Sequence, residues 1–178
     1  LKASITQYGL GILSDLSLLN LNIEAKKFIE VKPRLYLAGS ARALLTPNKT
    51  QPYLLRNGLG YSSFGIRAYE YYVIDGQNIG LGRVQLRYQI VKPTSMNLTG
   101  LAERFGKFHY AFYLGIFNDI AYVDDQVGYP MNSLANELQF GYGVGLDFVS
   151  YYDIVIRAEY SFNKFGESGL FLHFVAPI

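Results

Sequence analysis

The stretch Asp153-Ile-Val-Ile-Arg-Ala-Glu-Tyr-Ser-Phe-Asn-Lys-Phe165 decides the fold. Successive side chains of an extended chain point to opposite sides. Ile154, Ile156, Ala158, Tyr160 and Phe162 therefore share one face, and Val155, Arg157, Glu159, Ser161 and Asn163 share the other. Burying Arg157 and Glu159 in a small soluble core would be costly unless each charge were paired. A wet lumen behind an apolar outer wall removes that cost. The reading is a strand of a transmembrane β-barrel, with Ile154, Ile156 and Tyr160 toward lipid.

The same alternation extends in both directions along the chain. Upstream, Phe140, Tyr142, Val144, Leu146 and Phe148 oppose Gly141, Gly143, Gly145 and Asp147. In the span 78–91, Val84, Leu86, Tyr88 and Ile90 oppose Arg83, Gln85, Arg87 and Gln89. In 18–29, Leu19, Leu21, Ile23 and Ala25 oppose Asn20, Asn22, Glu24 and Lys26, and 34–45 and 109–122 follow suit. The last segment, 169–178, carries Leu170, Leu172, Phe174 and Ala176 on one face and ends at Ile178. The first, 2–12, alternates poorly. The expectation is all-β: an antiparallel meander of about eight strands over residues 1–178, an even number as bacterial outer-membrane barrels prefer.

The connections alternate too. Lys32-Pro33 and Tyr151-Tyr152-Asp153 read as tight turns, whereas 46–77 and 124–138 read as long loops. Short periplasmic turns and longer external loops are the pattern of outer-membrane barrels. The span 92–108 is an exception, a long connection on the short-turn side, with 98–105 a candidate interfacial helix. An eight-stranded barrel has an interior filled by side chains. The loop 46–77 could not also enter so narrow a lumen. The chain therefore reads as an open, curved half-sheet, and as a piece of a longer protein.

Composition agrees and excludes several classes. Charged residues are 17% of the chain, against about 25% in typical soluble domains. Tyr (16), Phe (12) and Gly (18) are abundant, as suits strands that meet lipid on one side and an aqueous lumen on the other. Tyrosines at strand ends would form the interfacial girdle. A soluble sandwich or lipocalin-like barrel is the competing architecture, and the polar second face on nearly every strand argues against it. There is no cysteine, hence no disulfide or thiolate metal site, and the net charge of +2 is scattered. No basic stripe of the kind nucleic acid requires is present.

Chemistry-bearing motifs are sparse. His109 and His173 both fall within strands, and neither an HExxH nor a GxSxG motif occurs. Nothing in the residue pattern argues for catalysis, a metal or a cofactor. Gly141-x-Gly143-x-Gly145 has strand periodicity, not the spacing of a phosphate loop, so it reads as room inside a barrel for a loop or a backbone.

The long loop holds the sharper constellation: Gly58-Leu-Gly60-Tyr-Ser-Ser-Phe-Gly65-Ile66-Arg67-Ala68-Tyr69. It resembles the Gly-rich segment and (V/I)RG(F/Y) motif of the outer-membrane BamA/TamA superfamily, the bacterial surface antigen type. A later strand, Phe117-Asn118-Asp119-Ile120-Ala121, resembles that family's F-x-D-x-G. The resemblance implies that the loop folds back into the barrel and that Arg67 binds Asp119 beside Phe117. It spans the whole chain, which it makes the last eight strands, half of a sixteen-stranded family barrel, with Leu172, Phe174 and Ile178 in the closing strand. Ala68 and Ala121 replace motif glycines, Gln85 stands where relatives often have glutamate, and Ile178 replaces the usual terminal aromatic. Arg56, earlier in the loop, is the contrasting arginine, whose loss should matter less than that of Arg67.

The resemblance implies a non-enzymatic protein of the bacterial outer membrane that assists insertion or translocation of outer-membrane proteins. Its partners would be outer-membrane lipid and lipopolysaccharide, client outer-membrane proteins and periplasmic assembly proteins. No cofactor or nucleic acid is implied. Two other readings stay open: the membrane-anchoring barrel of a patatin-like phospholipase, and a small structural or pore barrel.

Overall fold

The structure, a computed structural model, describes residues 1–9, 17–47, 51–56, 58–61, 65–97, 107–128, 132–150 and 154–175. It is all-β. Eight strands form one sheet in chain order: β1 (Lys2–Tyr8), β2 (Leu18–Lys32), β3 (Leu35–Leu45), β4 (Asn78–Asn97), β5 (Lys107–Asp124), β6 (Leu138–Ser150), β7 (Val155–Asn163) and β8 (Ser168–Val175). Every neighbouring pair is antiparallel, and β1 and β8 are the two edges, so the sheet is open. Among the described residues a short 3-10 turn, Tyr53–Leu55, lies beyond the strands. Among the described residues no helix is long and apolar enough to cross a membrane.

The registers fix which side chains share a face. Asp147 pairs with Arg157, Asp119 with Gly141, Arg83 with Asp119 and Ser40 with Arg83, so all these residues point into one concave face. Glu159 and Ser161 are buried there, while Ile154 and Tyr160 are exposed on the convex side. Leu114, Ile116, Tyr142, Val144 and Leu146 are exposed on that convex side as well. Alternation thus sorts polar from apolar residues as the strand pattern requires.

Several boundaries differ from the sequence reading. β1 forms despite its weak alternation, because a ladder from Lys2↔Glu24 to Tyr8↔Leu18 holds it on β2. The long connection expected over 92–108 is strand at both ends: β4 runs to Asn97 and β5 starts at Lys107. The register slips between Gln89 and Val91 and again between Val91 and Thr94. Pro93 sits in that irregular stretch, where its missing N–H breaks no regular ladder bond. The candidate helix 98–105, Tyr151-Tyr152-Asp153 and the closing residue Ile178 lie outside the described residues. At the β2–β3 turn, Pro33 is followed by Arg34 at φ 72°. Proline first and positive φ second is the signature of a type II turn.

The apolar core lies at the loop-bearing mouth of the concave face. Leu59, Ile66, Tyr69 and Ile74 of the long loop pack on Ile79 and Leu81 of β4 and on Ala121 and Val123 of β5, with Ala135 beside them. The two limbs of the loop pair through Leu59 and Ile74, whose backbones exchange hydrogen bonds of 2.8 and 3.0 Å. Gly58 and Gly60 make this pairing possible, since a Cβ on either would strike a backbone carbonyl of the opposite limb. Above them, Asn132 Nδ2 donates to the Asp75 carbonyl (2.7 Å) and to Asp125 Oδ2 (3.0 Å), tying the second loop to the first.

Candidate functional site: an arginine from the loop on the concave face

Four strands supply the site. β4 presents Arg83, Gln85 and Arg87, β5 presents Phe117 and Asp119, β6 presents Asp147, and β7 presents Arg157 and Glu159. The loop delivers Arg67 from the mouth. Its Nε donates to Asp119 Oδ2 at 2.9 Å and its Nη2 to Asp119 Oδ1 at 2.5 Å. The Arg67 backbone N–H donates to the same Oδ2 at 3.2 Å. Its guanidinium carbon stands 3.8 Å from the centroid of the Phe117 ring. The two-pronged pair is the strong, directional form of an arginine–carboxylate contact, and the ring face adds a cation–π attraction.

Burial raises the stakes. Asp119 is 0% and Glu159 is 1% exposed. A buried carboxylate without a cation is heavily penalised. Glu159 is shared: Arg67 Nη1 lies 3.4 Å away, Arg157 Nε 3.6 Å, and His173 Nε2 of β8 3.3 Å. Arg157 grips Asp147 through two bonds of 2.6 and 3.1 Å, and Arg87 Nε lies 3.3 Å from Asp147. Gln85 Oε1 accepts from Arg67 Nη1 (3.3 Å) and Arg87 Nη2 (3.0 Å). A neutral amide oxygen thus serves two cations here, so the acceptor survives without the carboxylate expected at this place. Arg83 donates to the Gly65 carbonyl and lies 3.8 Å from Asp119, a second and longer partner for that carboxylate.

The wall is cut away where the loop lies. A Cβ on Gly141 would collide with the Arg67 carbonyl, and one on Gly143 would meet the Phe117 ring and the β7 backbone. The glycine row of β6 therefore makes the space that its periodicity implies. Gly65 has nothing within 4 Å of its missing Cβ. Its contribution is the carbonyl that Arg83 holds.

The motif neighbours divide by role. Ile66 and Tyr69 are buried in the apolar cluster. The Tyr69 hydroxyl donates to the Phe140 carbonyl at 3.3 Å and accepts the Lys164 N–H at 3.4 Å. Burial pushes the Tyr69 hydroxyl pKa up. Ala68 has φ 72°, a left-handed conformation that glycine adopts without steric cost. Leu172 and Phe174 are exposed on the convex side of the edge strand β8. Arg56, the contrasting arginine of the loop, is buried, and its Nε donates to the Gln51 carbonyl at 3.3 Å. Sequence reading missed the Asp147–Arg157–Arg87 group as a unit, although all three residues already lay on the faces that it assigned inward.

A cavity of about 750 Å³ opens below the loop, lined by Lys26, Ser40, Arg83, Arg87, Arg157 and Glu159 among others. Its wall mixes these charged groups with apolar ones such as Phe28, Ala38 and Ile66. No known protein family, curated protein or solved structure matches the chain.

Proposed function

We propose that this chain is half of an outer-membrane β-barrel of the BamA/TamA type, which assists insertion or translocation of other outer-membrane proteins. The observation that carries the reading is Arg67: a Gly-rich loop reaches into the concave face and seats this one guanidinium on Asp119 against Phe117. That is the arrangement implied by the resemblance of the two motifs.

The convex face supports a place in lipid. From Phe112 to Tyr122 the outward residues of β5 are Leu114, Ile116, Asn118 and Ile120, with aromatic ends. These ten steps span roughly 33 Å of strand at about 3.3 Å each. A tilt of about 40° would reduce that to roughly 25 Å, the height of an outer-membrane apolar band. At one end the rings of Phe108, Tyr110, Phe112 and Phe148 cluster, with Phe112 and Phe148 centroids 5.0 Å apart. Toward the other end Tyr142 and Phe162 stack at 5.5 Å.

In this reading the protein performs no covalent chemistry. The inserted loop props the wall, and the unpaired edge of β8 offers backbone N–H and C=O groups to an incoming strand. The test is to place the full-length protein in lipid vesicles and follow the folding rate of an added outer-membrane barrel protein by its heat-modifiable gel migration. Faster client folding than in empty vesicles, reduced by Arg67→Ala, is expected. An unchanged rate would overturn the insertase reading, and phospholipid hydrolysis in its place would make the barrel a lipase anchor.

A further inference from the structure

Besides the apolar mouth and the Arg67 site, a third place holds the loop. Beyond Arg67 the chain turns toward the β7–β8 connection, 164–167. Asn163, the last residue of β7 and 3% exposed, is the hub. Its Oδ1 accepts the backbone N–H groups of Phe165 (3.0 Å) and Glu167 (3.1 Å), which shapes the turn. Its Nδ2 donates to Glu167 Oε2 (2.7 Å) and reaches the Ala68 carbonyl of the loop at 3.4 Å. The Tyr72 hydroxyl then donates to the same Glu167 Oε2 at 2.6 Å. Donation from Tyr72 and Asn163 holds the Glu167 carboxyl below its usual pKa. Around this polar knot the rings of Tyr69 and Tyr72 lie 6.3 and 6.2 Å from Phe165.

These contacts end on the edge of the sheet. Among the described residues β8 is paired only with β7, so its start at Ser168 has one ladder instead of two. Two further contacts follow β8 downward. The Tyr71 and Phe171 rings lie 5.9 Å apart, and Glu70 Oε1 lies 3.9 Å from His173 Nε2. Loop residues 70, 71 and 72 thus face successive inward features of the edge strand and its turn.

We infer that Tyr72, Asn163 and Glu167 form a clasp that couples the loop to the β8 edge, so that the mouth end of β8 and the loop tip loosen together. This deepens the insertase reading and rests on it for its purpose: the edge that would accept a client strand reports its position to the loop. The Arg67 site anchors the loop to the interior of the sheet, and the clasp joins it to the edge.

Amide hydrogen exchange on the full-length protein in lipid vesicles tests the clasp without any client. Tyr72→Phe removes only the hydroxyl, and Glu167→Gln removes the charge while keeping the shape. Either variant is expected to speed exchange on the order of 2-fold, as suits a solvent-exposed hydrogen bond, at loop residues 69–72 and at Ser168–Leu170 together, with β5 unchanged. Faster exchange in the loop with β8 unchanged would overturn the inference. So would a uniform rise that includes β5, because the hydroxyl would then serve the whole fold and not this joint. If exchange couples but client folding is not accelerated, the clasp stands and the insertase reading falls. The converse result removes the clasp alone.

Discussion

The concave face has two levels that hold the same loop by different physics. At the mouth, Leu59, Ile66 and Ile74 rest on Ile79, Leu81, Ala121 and Val123, an apolar contact without direction. One level down, Arg67 meets Asp119 and Glu159 in a contact that is all direction. Apolar burial contributes in proportion to area and tolerates sliding. A two-pronged guanidinium–carboxylate pair holds in one geometry only. The contrast teaches that the mouth supplies adhesion and the charged level supplies register. Either alone would leave the loop loosely placed or poorly attached.

Substitutions can separate the two levels. The largest effect is expected from Arg67→Ala, which takes the two-pronged partner from buried Asp119 and one of three basic neighbours from buried Glu159. Breaking a buried pair from one side costs about 3–5 kcal/mol, readable as a lower urea midpoint and as protease cleavage in the loop. Arg67→Lys should recover little of this, because an ammonium cannot reproduce the planar fork. If Lys restores full stability, the charged level supplies charge without register.

Next comes Ile74→Ala at the mouth, where the side chain is 0% exposed. Loss of a buried isoleucine to alanine costs about 2–5 kcal/mol. The Leu59–Ile74 backbone pairing should survive, so the loop should weaken without losing its position at Asp119. A cross-link or distance probe between the loop and β5 would show whether position and stability separate in this way.

Gly141→Ala is expected to act on register alone, at about 1–3 kcal/mol for a forced shift of packed groups. The new methyl would push on the Arg67 backbone and reach the apolar cluster only at Ala68, in ordinary contact. A stability equal to wild type would mean that the loop does not lie against β6. Ala68→Gly works in the opposite sense. Left-handed φ costs an L-residue roughly 1–2 kcal/mol, so this variant should be more stable by about 1 kcal/mol, unless the loop gains as much freedom when unfolded.

The smallest effect is confined to the mouth. The hydrogen bond from Tyr61 to Asp75, aided by burial, pushes the Tyr61 hydroxyl up to about 12. Its folded pKa lies above the unfolded value of about 10. The contribution is therefore complete below about pH 10 and lost as pH rises through about 12. A difference absorbance titration against Tyr61→Phe should show one tyrosinate appearing late, while the Arg67 level remains intact.

How much of this was legible in the sequence follows from the same contrast. Period-two alternation with Arg157 and Glu159 on one face revealed strands and their inward sides, since a one-residue slip would bury the wrong face. Arg67, Phe117 and Asp119 were legible only through the resemblance of their two short motifs to a known family; residue types alone favoured a loop arginine in water. The apolar mouth was not. Ile79 and Leu81 share parity with Arg83, and Ala121 and Val123 with Asp119, yet a rule of polar inside and apolar outside passes over them. What makes them a core is a loop from elsewhere in the chain, a long-range contact that no local pattern carries. The extended β4–β5 hairpin was missed for a related reason: Pro93 reads locally as a strand terminator, and only the register slips around it absorb the missing donor.

The central claim is that the Arg67–Asp119 pair, and not the apolar mouth, places the loop. A double-mutant cycle of Arg67→Ala and Asp119→Asn, measured by urea unfolding of the full-length protein in lipid vesicles, tests it most directly. Residues in direct contact couple by about 0.5–3 kcal/mol. The structure predicts the upper part of that range, with the double variant clearly less destabilised than the sum of the two single ones. Strict additivity, within about 0.3–0.5 kcal/mol, would mean that the two side chains do not hold each other, and would contradict the account.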